Sequence, residues 1–148
     1  MDKLLSVLTT QLTMKKVLIF GIFDGVHPGH IDFLRQAKEH GDILVVAVGR
    51  PSASKKFKDK LPKHSLAERI KFVQDAEHVD KAVPGDREQG SYEIILREKP
   101  DIICLGYDQK ELGKNLKHWT KKNNPAIAIQ TLKPYVPKKY HTSVIDSM

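Results

Sequence analysis

The feature that most constrains this chain is an alternation. Short runs that are apolar on both faces are followed by stretches whose apolar residues recur at helical spacing. Lys16-Val17-Leu18-Ile19-Phe20-Gly21, residues 42–49 and residues 101–106 are strand-sized and too uniformly apolar to leave one face in water. Between them, residues 28–40 read as a helix. Ile31, Leu34 and Ala37 form its stripe, Phe33 widens it, Pro28 suits its first turn and Gly41 closes it. Ser65-x-x-Glu68 is a capping box that opens a helix running to about Asp75, with Leu66, Ile70 and Val73 inward. Weaker signals predict a short strand over 79–83 and a helix over 91–98 with Tyr92, Ile95 and Leu96 inward. They also predict a helix over 109–122 and a fifth strand over 126–131.

Strands that alternate with helices build βαβ units, so the expected fold is one doubly wound, Rossmann-like α/β domain. It has a five-stranded parallel sheet with helices on both faces. Residues 14–148 make up this domain, and residues 1–13 read as an N-terminal extension whose apolar face is a candidate homodimer contact. A chain of 148 residues buries enough surface to fold without staples. The single Cys104 excludes an internal disulfide, no Cys/His spacing suits zinc, and a reducing cytoplasm is the expected setting. No run approaches the ~20 apolar residues of a membrane span, and the first residues lack the pattern of a secretory signal. The formal charge of +7 calls for a polyanionic partner, either a phosphorylated small molecule or a nucleic acid.

In sheets of this kind ligands bind beyond the carboxyl ends of the strands. The first such loop is Gly21-Ile22-Phe23-Asp24-Gly25-Val26-His27-Pro28-Gly29-His30. Its two histidines stand three apart at a helix start, on one side of an end that presents free N–H groups and partial positive charge. That potential disfavours imidazolium, so both rings should be neutral and donate hydrogen bonds to phosphate oxygens. Gly29 allows a close backbone approach, and Gly21 ends the strand without a side chain in a ligand's way.

This string resembles the G-T-F-D-x-x-H-x-G-H signature of the cytidylyltransferase-like nucleotidyltransferases, with Ile22 where Thr is usual. The superfamily includes glycerol-3-phosphate cytidylyltransferases, archaeal-type FAD synthases and pantetheine-phosphate adenylyltransferases. The resemblance implies transfer of CMP or AMP from CTP or ATP to a phosphate monoester, with release of pyrophosphate. It makes His27, His30, Lys56 and Arg69 the catalytic set. Lys56, with Lys55 and Lys58 beside it, matches a loop lysine that grips phosphate, and Arg69 matches a helical arginine that does the same. Gly21, Ile22, Phe23 and Gly29 would line the nucleotide, as would Gly106-Tyr107-Asp108, where the base meets the backbone, Tyr107 stacks and Asp108 accepts from an amine or a ribose hydroxyl. Without the resemblance, Arg69 reads as a surface ion-pair partner and Asp108 as a helix cap.

The tail Tyr140-His141-Thr142-Ser143-Val144-Ile145 stands where relatives carry R-T-x-G-I-S-T, but the arginine and the glycine are missing. Thr142 and Ser143 are the expected phosphate contacts, with Lys138 or Lys139 replacing the arginine. Asp24 would orient the acceptor or a metal-bound water. Mg²⁺ is expected on the triphosphate, held mainly by substrate oxygens and water. FMN and glycerol 3-phosphate both fit as acceptors. Residues 85–92 and 110–122 should decide between a flat apolar slot for a flavin and a small polar one. Asp108-Gln109 leans toward the FAD synthase branch. His40, His64, His78, His118 and Trp119 have no motif context, and Trp119 reads as a packing or interface residue. The opposing reading is a catalytically silent nucleotide- or RNA-binding protein on the same fold, with salt-sensitive RNA binding.

Overall fold

A computed structural model describes residues 14–51 and 61–136. Lys55, Lys56, Lys58, Thr142, Ser143 and the N-terminal extension lie outside the described residues. Five strands, β1 (Lys16–Gly21), β2 (Ile43–Val48), β3 (Lys81–Pro84), β4 (Ile102–Leu105) and β5 (Ala128–Thr131), form one sheet in the order β3-β2-β1-β4-β5. Every neighbouring pair is parallel. The connecting helices are α1 (Pro28–Lys38), α2 (Leu66–Gln74), α3 (Glu93–Glu98) and α4 (Lys110–Asn123). β1 is central, and the order reverses on either side of it, so the loops after β1 and β4 face a common crevice.

Each face of the sheet has its own core. Val17, Ile19, Leu44, Val46 and Val48 pack against Leu34 and Ala37 of α1 and Val73 of α2. Leu18, Val45, Ala47, Ile103 and Leu105 pack against Ile94 and Ile95 of α3 and Leu116 of α4. Consecutive residues of one strand therefore enter opposite cores, which is why the strands read as unbroken apolar runs.

The helix termini follow the expected chemistry with local corrections. Ser65 caps α2, its hydroxyl accepting from the Glu68 N–H while the Glu68 carboxylate accepts from the Ser65 N–H, both at 3.2 Å. Gly41 does not close α1 through a left-handed turn. A Cβ there would lie 2.8 Å from the Lys15 carbonyl oxygen, so the glycine is needed for close approach of α1's exit to the start of β1. Ile31 is exposed, leaving Leu34 and Ala37 as the buried stripe of α1. In α3 the inward pair is Ile94 and Ile95, and Leu96 faces water. Tyr92 precedes that helix in a left-handed conformation, φ 49°, which turns its ring into the second core.

The amino-terminal edge of the sheet carries a regularity that hydrophobic periodicity does not report. Asp42, Asp80 and Asp101 each stand immediately before a strand. The Asp42 and Asp101 carboxylates accept from the Lys15 and Lys16 N–H groups, and that of Asp80 accepts from the Leu44 N–H, all at 2.8 Å. Parallel strands leave donors unpaired where they begin, and carboxylates satisfy them.

Candidate active site

The loop after β1 is built around a ring tucked under its own strand. Phe23 is buried at φ 52°, and a Cβ on Gly21 would come within 2.4 Å of its ring. Gly21 thus makes room for Phe23, whereas the sequence suggested that it makes room for a ligand. Beyond this turn His27 occupies the N-cap of α1 and His30 its third position. The two imidazoles stack with centroids 3.6 Å apart, and Phe23 packs against His30 at 5.2 Å. The His27 N–H donates to His30 Nδ1 at 3.3 Å. An accepting Nδ1 requires the neutral tautomer with its proton on Nε2, which is the donor form that phosphate recognition needs. A Cβ on Gly29 would sit 3.1 Å from the His27 ring, so Gly29 is what lets that ring fold back over the helix start.

Asp24 lies beside this pair but not in the cleft it faces. Its Oδ2 accepts from the Lys63 N–H at 2.7 Å, and its Oδ1 accepts from the His64 N–H at 2.9 Å and pairs with His64 Nδ1 at 2.9 Å. The Lys63 N–H, followed by the contacts from His64, outweighs the effect of burial and lowers the carboxyl pKa to about 2. These contacts give Asp24 a structural role that the sequence did not indicate. Asp24 anchors the end of the basic 50–64 segment to the histidine loop.

Arg69 lies beneath these loops. Its side chain is fully buried and does not line the cleft. Nη1 donates to the Ile22 carbonyl at 2.9 Å and to the Gly49 carbonyl at 2.7 Å, and Nε donates to the His64 carbonyl at 3.1 Å. Nη2 is buried with no hydrogen-bond partner among the described residues. Burial lowers the guanidinium's pKa. The residue braces the loops after β1 and β2 against the start of α2, and no surface salt bridge involves it among the described residues.

Two further braces went unrecognised in the sequence. Gln109 accepts from the Gly106 N–H at 2.8 Å and donates to the Phe20 carbonyl at 2.9 Å, tying the end of β4 to the end of β1. Gln36 and Lys133 exchange two hydrogen bonds, Gln36 Nε2 to the Lys133 carbonyl at 3.0 Å and the Lys133 N–H to Gln36 Oε1 at 3.1 Å. This holds the segment after β5 beside α1, with Tyr135 near Gly29. Amide side chains give no periodic or charge signal, so only their contacts reveal them.

These loops enclose one cleft of about 1190 Å³ at the carboxyl edge. Gly21, Ile22, Phe23, His27, Gly29 and His30 line it, together with Gly106, Tyr107 and Asp108. The expected nucleotide residues of both loops therefore share one space. Arg50, whose Nε donates to the Gly85 carbonyl at 2.9 Å, and Lys133 add positive charge that the motifs did not identify. The two segments expected to decide the acceptor also converge there, 85–92 through Asp86, Gly90 and Tyr92, and 110–122 through Leu112, His118 and Trp119. Trp119 meets Tyr92 edge to face at 5.7 Å, so it packs on the second core and lines the cleft at once. Burial raises the pKa of both the Asp86 carboxyl and the Tyr92 phenol, and Asp86 pushes Tyr92 further in the same direction. Among the described residues no three His, Cys, Asp or Glu side chains gather to hold a metal, and no helix is long and apolar enough to cross a membrane.

Comparison with known proteins matches residues 18–147 to the cytidylyltransferase-like family. Among curated proteins, the FAD synthase of Aciduliprofundum boonei is 38% identical over 122 residues, which cover 82% of this chain and 80% of that protein. The FAD synthase of Thermococcus sibiricus is 41% identical over 116 residues, covering 76% and 78%. Among solved structures, the lipopolysaccharide core biosynthesis protein of Thermoplasma volcanium superposes with a TM-score of 0.76 at 33% identity, covering 83% of this chain and 99% of that one. A pantoate-beta-alanine ligase from Francisella tularensis shares the fold alone, with a TM-score of 0.58 at 13% identity, covering 84% of this chain and 61% of that one.

Proposed function

Because the chain belongs to the cytidylyltransferase-like family and is a nucleotidyltransferase, we propose that it transfers AMP from ATP to FMN, forming FAD and pyrophosphate. The observation that carries this reading is the single cleft that joins the stacked His27 and His30 to the Gly106-Tyr107-Asp108 segment and to the Tyr92–Trp119 aromatic pair. A pocket for one drug-sized ligand is about 300–1,000 Å³. At about 1190 Å³ this cleft has room for two substrates. The relatives named FAD synthase support the choice of FMN.

In this reading a phosphate oxygen of FMN attacks the α-phosphorus of ATP. The new P–O bond forms as the bond to the bridging oxygen of the β-phosphate breaks, and that oxygen carries the charge away on pyrophosphate. The attacking phosphate is already anionic, so the protein needs to supply position and charge neutralisation rather than a strong base. His27 and His30 donate hydrogen bonds to the α-phosphate and to the departing oxygens at the positive end of α1. Lys56 supplies a further cation, Thr142 and Ser143 contact the outer phosphates, and Gly106, Tyr107 and Asp108 hold the base and ribose. Arg69 and Asp24 act through the loops they fix. A Mg²⁺ ion bound with the triphosphate would be held mainly by substrate oxygens and water and would supply charge neutralisation there. The cytoplasm is the setting of this reaction in our reading.

The test offers the full chain ATP or CTP with FMN or glycerol 3-phosphate in the presence of Mg²⁺, and measures pyrophosphate. ATP with FMN should release pyrophosphate and form FAD in equal amounts. Turnover confined to CTP, or to glycerol 3-phosphate, would overturn the assignment, as would salt-sensitive RNA binding without turnover.

A further inference from the structure

We propose that the far end of the cleft seats the isoalloxazine ring, and that Trp119 is the residue that selects a planar aromatic acceptor. The proposal rests on the FMN reading and concerns how this chain would distinguish that acceptor from a compact phosphate ester.

Depth supplies the first argument. The attacking phosphate must lie at the carboxyl edge, beside His27 and His30. α4 follows the end of β4 at that edge and leads back to the start of the parallel β5, and Trp119 stands nine residues past Lys110. At 1.5 Å per residue it lies about 14 Å along the helix from the edge. An acceptor whose phosphate sits among the histidines reaches this depth only if an extended arm joins phosphate and ring. The ribityl chain is such an arm. Glycerol 3-phosphate would leave the aromatic end unfilled.

Rigidity and chemistry supply the second. Trp119 is partly buried against the core that contains Ile94, Leu116 and Ile127, and Tyr92 meets it edge to face. Tyr92 is fixed by its left-handed backbone and by α3, whose Ile94 N–H donates to Asp86 at 3.0 Å. A flat apolar wall held by two elements loses little conformational freedom on stacking a ring. Polar groups surround that wall. His118 is next to Trp119 in the chain, Lys122 and Asn123 follow on the neighbouring turn, and all three line the cleft with Asp86. The pyrimidine edge of an isoalloxazine carries carbonyl acceptors and one imide N–H donor, a pattern that these donors and the Asp86 carboxylate can match.

Trp119 is the single tryptophan, so one substitution removes the whole signal. KM for FMN and for ATP should be measured in the full chain for wild type and for Trp119→Ala, Trp119→Leu and Trp119→Phe. The quenching of flavin emission on binding and the thermal transition should be followed in the same samples. Loss of a stacking partner should raise KM for FMN about tenfold or more while KM for ATP stays within about twofold. Trp119→Phe should recover most of the affinity because it restores a plane. If Trp119→Ala does not fold, Trp119→Leu keeps an apolar body against the core and carries the same expectation. Unchanged KM for FMN in a variant that still makes FAD, or an equal rise for ATP, overturns the role of Trp119 and leaves the FMN reading intact. A wild-type protein that transfers to glycerol 3-phosphate and makes no FAD overturns both.

Discussion

The two edges of the sheet solve opposite hydrogen-bonding problems. At the amino edge the strands begin with unpaired N–H groups, and Asp42, Asp80 and Asp101 accept from them. At the carboxyl edge the strands run out into unpaired carbonyls, and cations or amides donate to them. Arg69 reaches the carbonyls of Ile22 and Gly49, Arg50 reaches that of Gly85, and Gln109 reaches that of Phe20. The first solution leaves carboxylates at an exposed rim. The second concentrates donors and positive charge around the cleft, where a triphosphate would bind. Backbone direction in an all-parallel sheet therefore biases which edge can attract an anion, before any catalytic residue is considered.

His30→Ala removes a donor from the carboxyl edge. Deleting a preorganised donor to a reacting phosphate costs about 3 kcal/mol, so turnover should fall at least ~10²-fold. The thermal transition should move little, since His30 is only half-buried. Wild-type pyrophosphate release by this variant would remove the histidines from the mechanism.

Arg69→Lys tests the structural half of the same edge. A lysine cannot fork among three carbonyls, and each buried acceptor left unsatisfied costs about 1–3 kcal/mol. Denaturant unfolding should show a loss of about 3 kcal/mol or more, with activity falling alongside. Lost activity at unchanged stability would instead make Arg69 a phosphate ligand.

Asp80→Asn sharpens the contrast from the other side. Burial raises the Asp80 carboxyl pKa, but the Lys38 ammonium and the Leu44 N–H outweigh this and hold it below its ordinary value. Its contribution is therefore present above the ordinary carboxylate range and is lost as pH falls below it. The group is well exposed, so substitution should cost only about 1 kcal/mol at neutral pH, with kcat unchanged. In acid the variant and the wild type should converge in stability. A change in kcat would show that the amino edge is coupled to the site.

Much of the fold was legible because hydrophobic burial acts on residue types that periodicity reports. β1, the Ser65 capping box and the alternation of strand and helix all appear in the structure near their expected places. Ile31 and Leu96 were misplaced for a local reason. Helical spacing identifies an apolar stripe but not its exact centre: Leu34, Ala37 and Ile95 are buried as expected, while Ile31 and Leu96 at the stripe edges face water and Ile94 turns inward. The candidate site was legible at its histidine pair. His27, Gly29 and His30 form a local device at a helix start, and their spacing alone brings them together.

The parallel α/β architecture, the nucleotidyltransferase family and the histidine pair are legible in the sequence because each is written in patterns a few residues long: apolar runs, helical spacing, a capping box and the histidine string. Only the packing of distant elements shows that Arg69 turns inward to carbonyls, that Asp24 holds the 63–64 backbone, and that Trp119 and Tyr92 meet in the wall of the cleft. Apart from Arg69's bond to the His64 carbonyl, those contacts join residues 20–47 positions apart. Such a residue's role depends on which unpaired backbone group or which ring the packing of distant elements brings within reach, and spacing along the chain does not encode that.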